Sequence, residues 1–378
     1  MPPQNCSDWL HGFQNGSDWF LACGSSLQRT TANLCNPHAQ FPSTVLLIGK
    51  REREAARQAL LPGRTHLKPY GIAQLQADDS TSDDEHPLLV ASLDIDNACS
   101  KQKPPQKHNG RSRHKVRWLS EYSSATATES FVTTIVGRLL LSFVDVVCIF
   151  LDDFSTREEG IRFLQRCAHH SSLSWGWKPQ VILVSSSTYR HKGSLGLPMF
   201  GSIQHVILPT DGRKTLPSSR FFTLKKTILS SAEMVRKSRN TAKMLYSAYH
   251  LNVFFEMALR HVATCASTPF NFILATRQCN RIEDHLWVDL RKFLELCAAN
   301  HTNKEAALAY VASALMLDSL PPGMHRKCSI PKLPCFDLNQ QASNRRRSSS
   351  YSTNLTAIKP FRRCLPSKAS RRQLHVHS

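Results

Sequence analysis

The chain has 378 residues, room for one large α/β domain with appendages or for two modest domains. Its 41% hydrophobic content and mean hydropathy of -0.31 predict that part of the length stays unpacked. The longest apolar stretch, Leu139 to Leu151, is interrupted by Asp145 and is too short and too polar for a membrane-spanning helix.

The net charge of +20 is concentrated rather than spread: residues 101–117 carry seven Lys/Arg, residues 341–378 carry nine, and neither run holds an acid. Such runs can bind nucleic acid or an anionic membrane by counterion release, but their composition reads first as solvated, disordered chain. Twelve cysteines without a single C-x-x-C pair exclude a zinc ribbon and a thioredoxin-type site. The N-terminus, Met1-Pro2-Pro3-Gln4, has no basic and apolar leader, so reduced thiols in the cytoplasm are the expectation.

In chain order, residues 1–40 read as an irregular N-terminal segment with a small echo, Ser7-Asp8-Trp9 and Ser17-Asp18-Trp19. Cys6, His11, Cys23, Cys35 and His38 are irregularly spaced for zinc, and buried or free thiols are the preferred reading. Order is expected from residue 41. The aliphatic run Thr44 to Ile48 predicts a strand, Gly49-Lys50 a turn, and Arg51 to Leu61 a helix of good helix formers. Pro87 to Leu93 is a second strand, ending in Asp94-Ile95-Asp96 and flanked by an acidic loop and by a disordered basic loop near 98–117.

Phe143 to Leu151 is the third strand, closed by Asp152-Asp153, and Arg157 to His169 is a helix. Gln180 to Val184 and His205 to Leu208 complete an expected open, mostly parallel sheet of about five strands over residues 41–215. From Thr223 to about Ala263 the spacing turns helical, and further helices are predicted near 282–298 and 303–317. Residues 220–335 therefore read as a helical segment, and 339–378 as a disordered basic tail. In that tail Arg345-Arg346-Arg347 precedes Ser348, Ser349 and Ser350, a possible phosphorylation site.

Gly49-Lys50 stands where a phosphate-binding loop would stand, between a strand and a helix. The required G-x-x-x-x-G-K-[ST] is degenerate here: no second glycine, no hydroxyl at the metal position, and a Glu52 that would repel phosphate. Asp94 and Asp96 occupy the place of a magnesium-associated carboxylate. ATP or GTP with magnesium on Gly49, Lys50, Asp94 and Asp96 is thus an alternative to the expectation of no cofactor. Asp152 and Asp153 lie at a strand end where ligands of open sheets gather, yet capping of the following helix is the simpler reading. The sequence contains no G-x-S-x-G elbow, and no catalytic residue is assigned.

Several segments resemble the region that precedes the catalytic domain in fungal patatin-like phospholipases, also called lysophospholipase-like proteins. They are Phe41 to Lys50, Pro87 to Ala91, Ser142 to Phe150, and Ala312 to His325, within roughly residues 41–335. The resemblance implies a P-loop-NTPase-like α/β domain, then a helical segment, with lipid acyl hydrolysis supplied by a patatin domain. That domain's G-G-G-x-R-G and G-x-S-x-G motifs are not in this sequence, so no catalytic residue carries over. The expectation is a non-catalytic regulatory or interaction region, or a truncated lipid acyl hydrolase. Its partner would be another protein or the missing patatin domain.

Overall fold

A computed structural model describes residues 8–62, 71–96, 113–121, 124–171, 177–188, 197–209, 216–242, 244–272, 274–275 and 286–318. All of them fall within Met1–Lys327, one of the two units into which the chain divides. The basic tail, Ser348 to Ser350 and most of the basic loop lie outside the described residues.

Nine strands form a single sheet: β1 (Asp8–Asn15), β2 (Asp18–Cys23), β3 (Ser43–Gly49), β4 (Ala73–Ala77), β5 (Leu88–Asp94), β6 (Arg113–Val116), β7 (Val146–Phe150), β8 (Gln180–Ser185) and β9 (Ile203–Ile207). Their spatial order is β6-β2-β1-β4-β5-β3-β7-β8-β9. The block from β5 to β9 pairs in parallel, whereas β6, β2, β1, β4 and β5 pair antiparallel in succession. The expected mostly parallel sheet of about five strands is therefore corrected to a mixed sheet of nine. The five strands read from the sequence are the parallel ones, and four antiparallel strands add to them.

The parallel strands are near-continuous apolar runs because both faces are covered. The pleat divides β3 cleanly: Leu46 and Ile48 enter one core, Val45 and Leu47 the other. Along β7, Val147 and Ile149 join the first core, and Val146, Cys148 and Phe150 the second.

Over the first face lie α1 (Ser26–Ala32), α3 (Ser124–Arg138), α4 (Arg157–His170) and α7 (Ala248–Thr264), contributing Leu27, Ile135, Leu164 and Phe255 to the core. Over the second lie α2 (Arg51–Leu60) and α6 (Phe222–Thr241), contributing Ala56, Leu60, Leu224 and Ile228. A short α5 (Pro217–Arg220) leads into α6.

Two boundaries are corrected. The N-terminal segment expected to be irregular is a β-hairpin and a helix. Its turn places Gly16 at φ 64°, between the paired Asn15 and Asp18, where a two-residue hairpin needs a left-handed first position. The echoed tryptophans are equivalent members of the two strands, and both are buried. The helical segment from 220 onward is not a separate layer either. The predicted run from 223 to 263 is two helices on opposite faces of the sheet, α6 and α7. α8 (Leu286–Ala299) and α9 (Lys304–Asp318) have no residue in the two main cores. The basic run 101–117 ends not as loop but as edge strand β6.

Candidate functional site

Chain order and spatial order together place a crevice. After β3 the chain moves to one side of it, through β4 to β5, and then returns to the other side as β7. Ligands of open α/β sheets gather at such a reversal, outside the carboxyl ends of the strands. The residues there are Gly49 and Lys50 after β3, Asp94 and Asp96 after β5, and Asp152 and Asp153 after β7.

At the start of α2 the first backbone N–H groups have no partner within the helix and point toward this crevice. Lys50, the N-cap residue, makes no side-chain cap. Instead the Asp153 carboxylate accepts from Lys50 N at 2.6 Å, from Glu52 N at 3.0 Å and from Arg53 N at 3.0 Å. A carboxylate from another strand thus sits where a helix N-terminus would receive an anion. Gly49 is required by this approach: a Cβ there would stand 2.5 Å from Asp153 Oδ2 and 3.0 Å from Phe150 Cβ.

The surrounding cations are paired within the chain. Arg53 is buried, with Nη1 donating to Ser92 Oγ at 2.8 Å and Nη2 to Asp94 Oδ2 at 3.2 Å. Lys50 Nζ meets Asp96 Oδ1 at 2.8 Å, and this contact raises the lysine's pKa. Arg220 reaches Glu52 at 2.9 Å, tying α5 to the start of α2. The four residues expected to hold nucleotide, Gly49, Lys50, Asp94 and Asp96, are therefore brought together, but in contacts with one another and with Arg53 and Asp153.

The expectation that Asp153 caps the following helix is corrected. Thr156 caps α4 by accepting from Glu159 N, and Asp153 caps α2 across the sheet. Asp152 pairs with Arg157 at 2.8 Å and accepts from Ser186 N. Partial burial works against its charge, yet the Ser186 bonds and Arg157 outweigh this and hold its carboxyl below the usual range.

Beside it, Ser185 Oγ lies 2.7 Å from His205 Nε2. This pair is not an activated nucleophile, because the Ser185 hydroxyl donates to Ser187 O at 2.6 Å and so accepts from the histidine. Sequence reading missed Arg53 and His205, and it named Asp153 but gave it the wrong helix to cap. Only Asp153 carried a local signal, its place at a strand end.

A nucleotide's phosphates do not fit the residues present. The loop lacks the second glycine and hydroxyl, and Asp153 already takes the N–H groups that would cradle a phosphate. No group of three or more His, Cys, Asp and Glu side chains among the described residues is placed to hold a metal ion. Replacing Asp153 with alanine is expected to destabilise the domain by about 1–3 kcal/mol, since three N–H groups lose a charged acceptor. Asp153→Asn, which keeps one acceptor oxygen, should fall between, and equal melting curves for all three proteins would contradict the capping role.

No protein-family model matches the chain, and no curated protein matches its sequence.

Proposed function

We propose that this chain is a non-catalytic regulatory or interaction domain, built on a P-loop-NTPase-like frame whose phosphate position is filled from within. The observation that carries this reading is the Asp153 carboxylate seated on the N–H groups of Lys50, Glu52 and Arg53. A carboxylate so placed does electrostatically what a bound phosphate does, and it holds α2 against β7 permanently.

The segments resembling the front of patatin-like phospholipases supply the setting: a domain that positions or regulates a lipid acyl hydrolase, with that patatin domain or another protein as its partner. A cytoplasmic location fits the free thiols Cys23, Cys35, Cys148, Cys167, Cys265 and Cys297, and no helix of the described residues is long and apolar enough to cross a membrane.

Titration with ATP or GTP plus magnesium is expected to give no heat and no change in melting temperature. A magnesium-dependent rise in melting temperature would instead favour the alternative, a weak nucleotide switch using Lys50 with Asp94 or Asp96. Binding of nucleic acid or an anionic membrane is a second reading, favoured by the exposed Arg113 and Lys115 on edge strand β6, which continues the basic run 101–117. Deleting the basic runs should then remove a salt-sensitive interaction, and unchanged binding would end that reading.

A further inference from the structure

Two strands end the sheet, β6 on one side and β9 on the other, and each pairs with a single neighbour. The main-chain hydrogen bonds fix which groups of β9 face outward. Val181 N donates to Ser202 O at 2.9 Å and Leu208 N donates to Ser185 O at 2.8 Å, so the even-numbered residues of this stretch turn their main-chain groups toward β8. Ile203, His205 and Ile207 therefore present N–H and C=O away from the sheet, and among the described residues no main-chain partner meets them.

The two edges differ in charge. β6 carries Arg113 and Lys115, both exposed, and cations on an edge discourage pairing with another chain. β9 is Ile-Gln-His-Val-Ile and holds no Lys, Arg, Asp or Glu. Its outward row, Ile203, His205 and Ile207, reads the same from either end, which is the condition for a strand to match itself. A second β9 laid antiparallel about His205 sets Ile203 of each copy against Ile207 of the other, and His205 against its own copy. Each of these three residue pairs exchanges two N–H···O=C bonds, six in all. Charge selects the same arrangement: in a chain of net charge +20, two copies meeting on β6 would oppose Arg113 and Lys115 with their like, and β9 opposes no cations.

We infer that β9 is a homodimerisation edge, at which two copies join their sheets into one across a two-fold axis at His205. This goes beyond the reading of the preceding subsection and does not depend on the Asp153 site. Pairing β9 with itself consumes the uncharged edge and leaves the basic β6 at both ends, so assembly stops at the dimer. A five-residue strand makes a small interface, and dissociation on the order of micromolar is expected.

Sedimentation equilibrium and hydrogen exchange on the full chain, both at rising protein concentration, test it. The wild type is expected to dimerise, and exchange at the amides of Ile203, His205 and Ile207 to slow as it does, while the amides of Gln204 and Val206, which already face β8, keep their rates. Ile207→Lys puts a cation on the edge, and Ile207→Pro removes an outward N–H that the monomer does not use. Each should weaken association about tenfold or more, since the two-fold axis counts every loss twice. Ile207 is 48% exposed, so the melting temperature of the dilute monomer should change little. A wild type that stays monomeric at every concentration overturns the inference, as does a dimer that ignores both substitutions or gains its protection elsewhere. Slowing at these three amides only when a different protein is added overturns it as well.

Discussion

Asp145→Ala is expected to destabilise the protein by about 3–5 kcal/mol, a fall of about 10 °C in melting temperature, because it leaves a buried guanidinium without its counter-ion. Asp145 stands just before β7, at the opposite end of the sheet from the candidate site. Its side chain is 5% exposed and that of Arg239, on α6, is 7% exposed, with 2.7 Å between Arg239 Nε and Asp145 Oδ1. The other carboxylate oxygen accepts from Thr44 N at 2.7 Å. The Asp145 main chain bonds to Thr44 and to Gln180, so one residue joins β3, β7 and β8.

Arg239 also lies 3.6 Å from the centroid of the Trp177 ring, a stacking contact that a lysine could not reproduce. Burial pushes the Asp145 carboxyl up, while Arg239 and the Thr44 N–H pull against it. Removing both partners is a different matter from removing one. The double change Asp145→Ala with Arg239→Met should recover most of the loss, since neither member is then left charged and unpaired. Urea unfolding of the two single variants and the double variant decides this, and additive losses would show that the pair is not a unit.

Phe255→Ala carries the second large effect, again about 3–5 kcal/mol for a fully buried phenylalanine. Phe255 belongs to α7, and its ring lies 4.6 Å from that of Trp9 on β1 and 5.3 Å from that of Phe143 ahead of β7. It therefore joins the N-terminal hairpin, the parallel block and the C-terminal helices in one core. A single cooperative transition, shifted as a whole by the substitution, is the expected outcome. If α6 and α7 belonged to an independent helical domain, the substitution would split the melting curve and leave the sheet transition in place.

Much of the parallel block was legible because its residues say the same thing at every level. Val45 to Ile48, Val146 to Phe150 and Val181 to Val184 are apolar on both pleat faces, which only a doubly covered strand requires. The added strands lack that signal. β1 carries Asp8, His11, Gly12 and Gln14, β4 reads Ala-Gln-Leu-Gln-Ala, and β6 is Arg-His-Lys-Val. Their strand state comes from neighbours across the sheet: β1 holds β2 and β4, and β2 holds β6. Pairing energy of that kind is non-local, and the short alternation of β4 is the one periodicity it leaves among β1, β4 and β6.

The amino-acid sequence by itself determined the five parallel strands, the helix after Gly49 and the failure of the phosphate loop, because each rests on residue types within a dozen positions of one another. Only the tertiary structure decided that α6 and α7 close the two faces of one sheet, since two amphipathic helices look alike whichever face they cover. It alone placed Asp153 on the start of α2. Those hydrogen bonds join residues about a hundred positions apart, and a carboxylate's partner across a sheet depends on strand order, which no local pattern encodes.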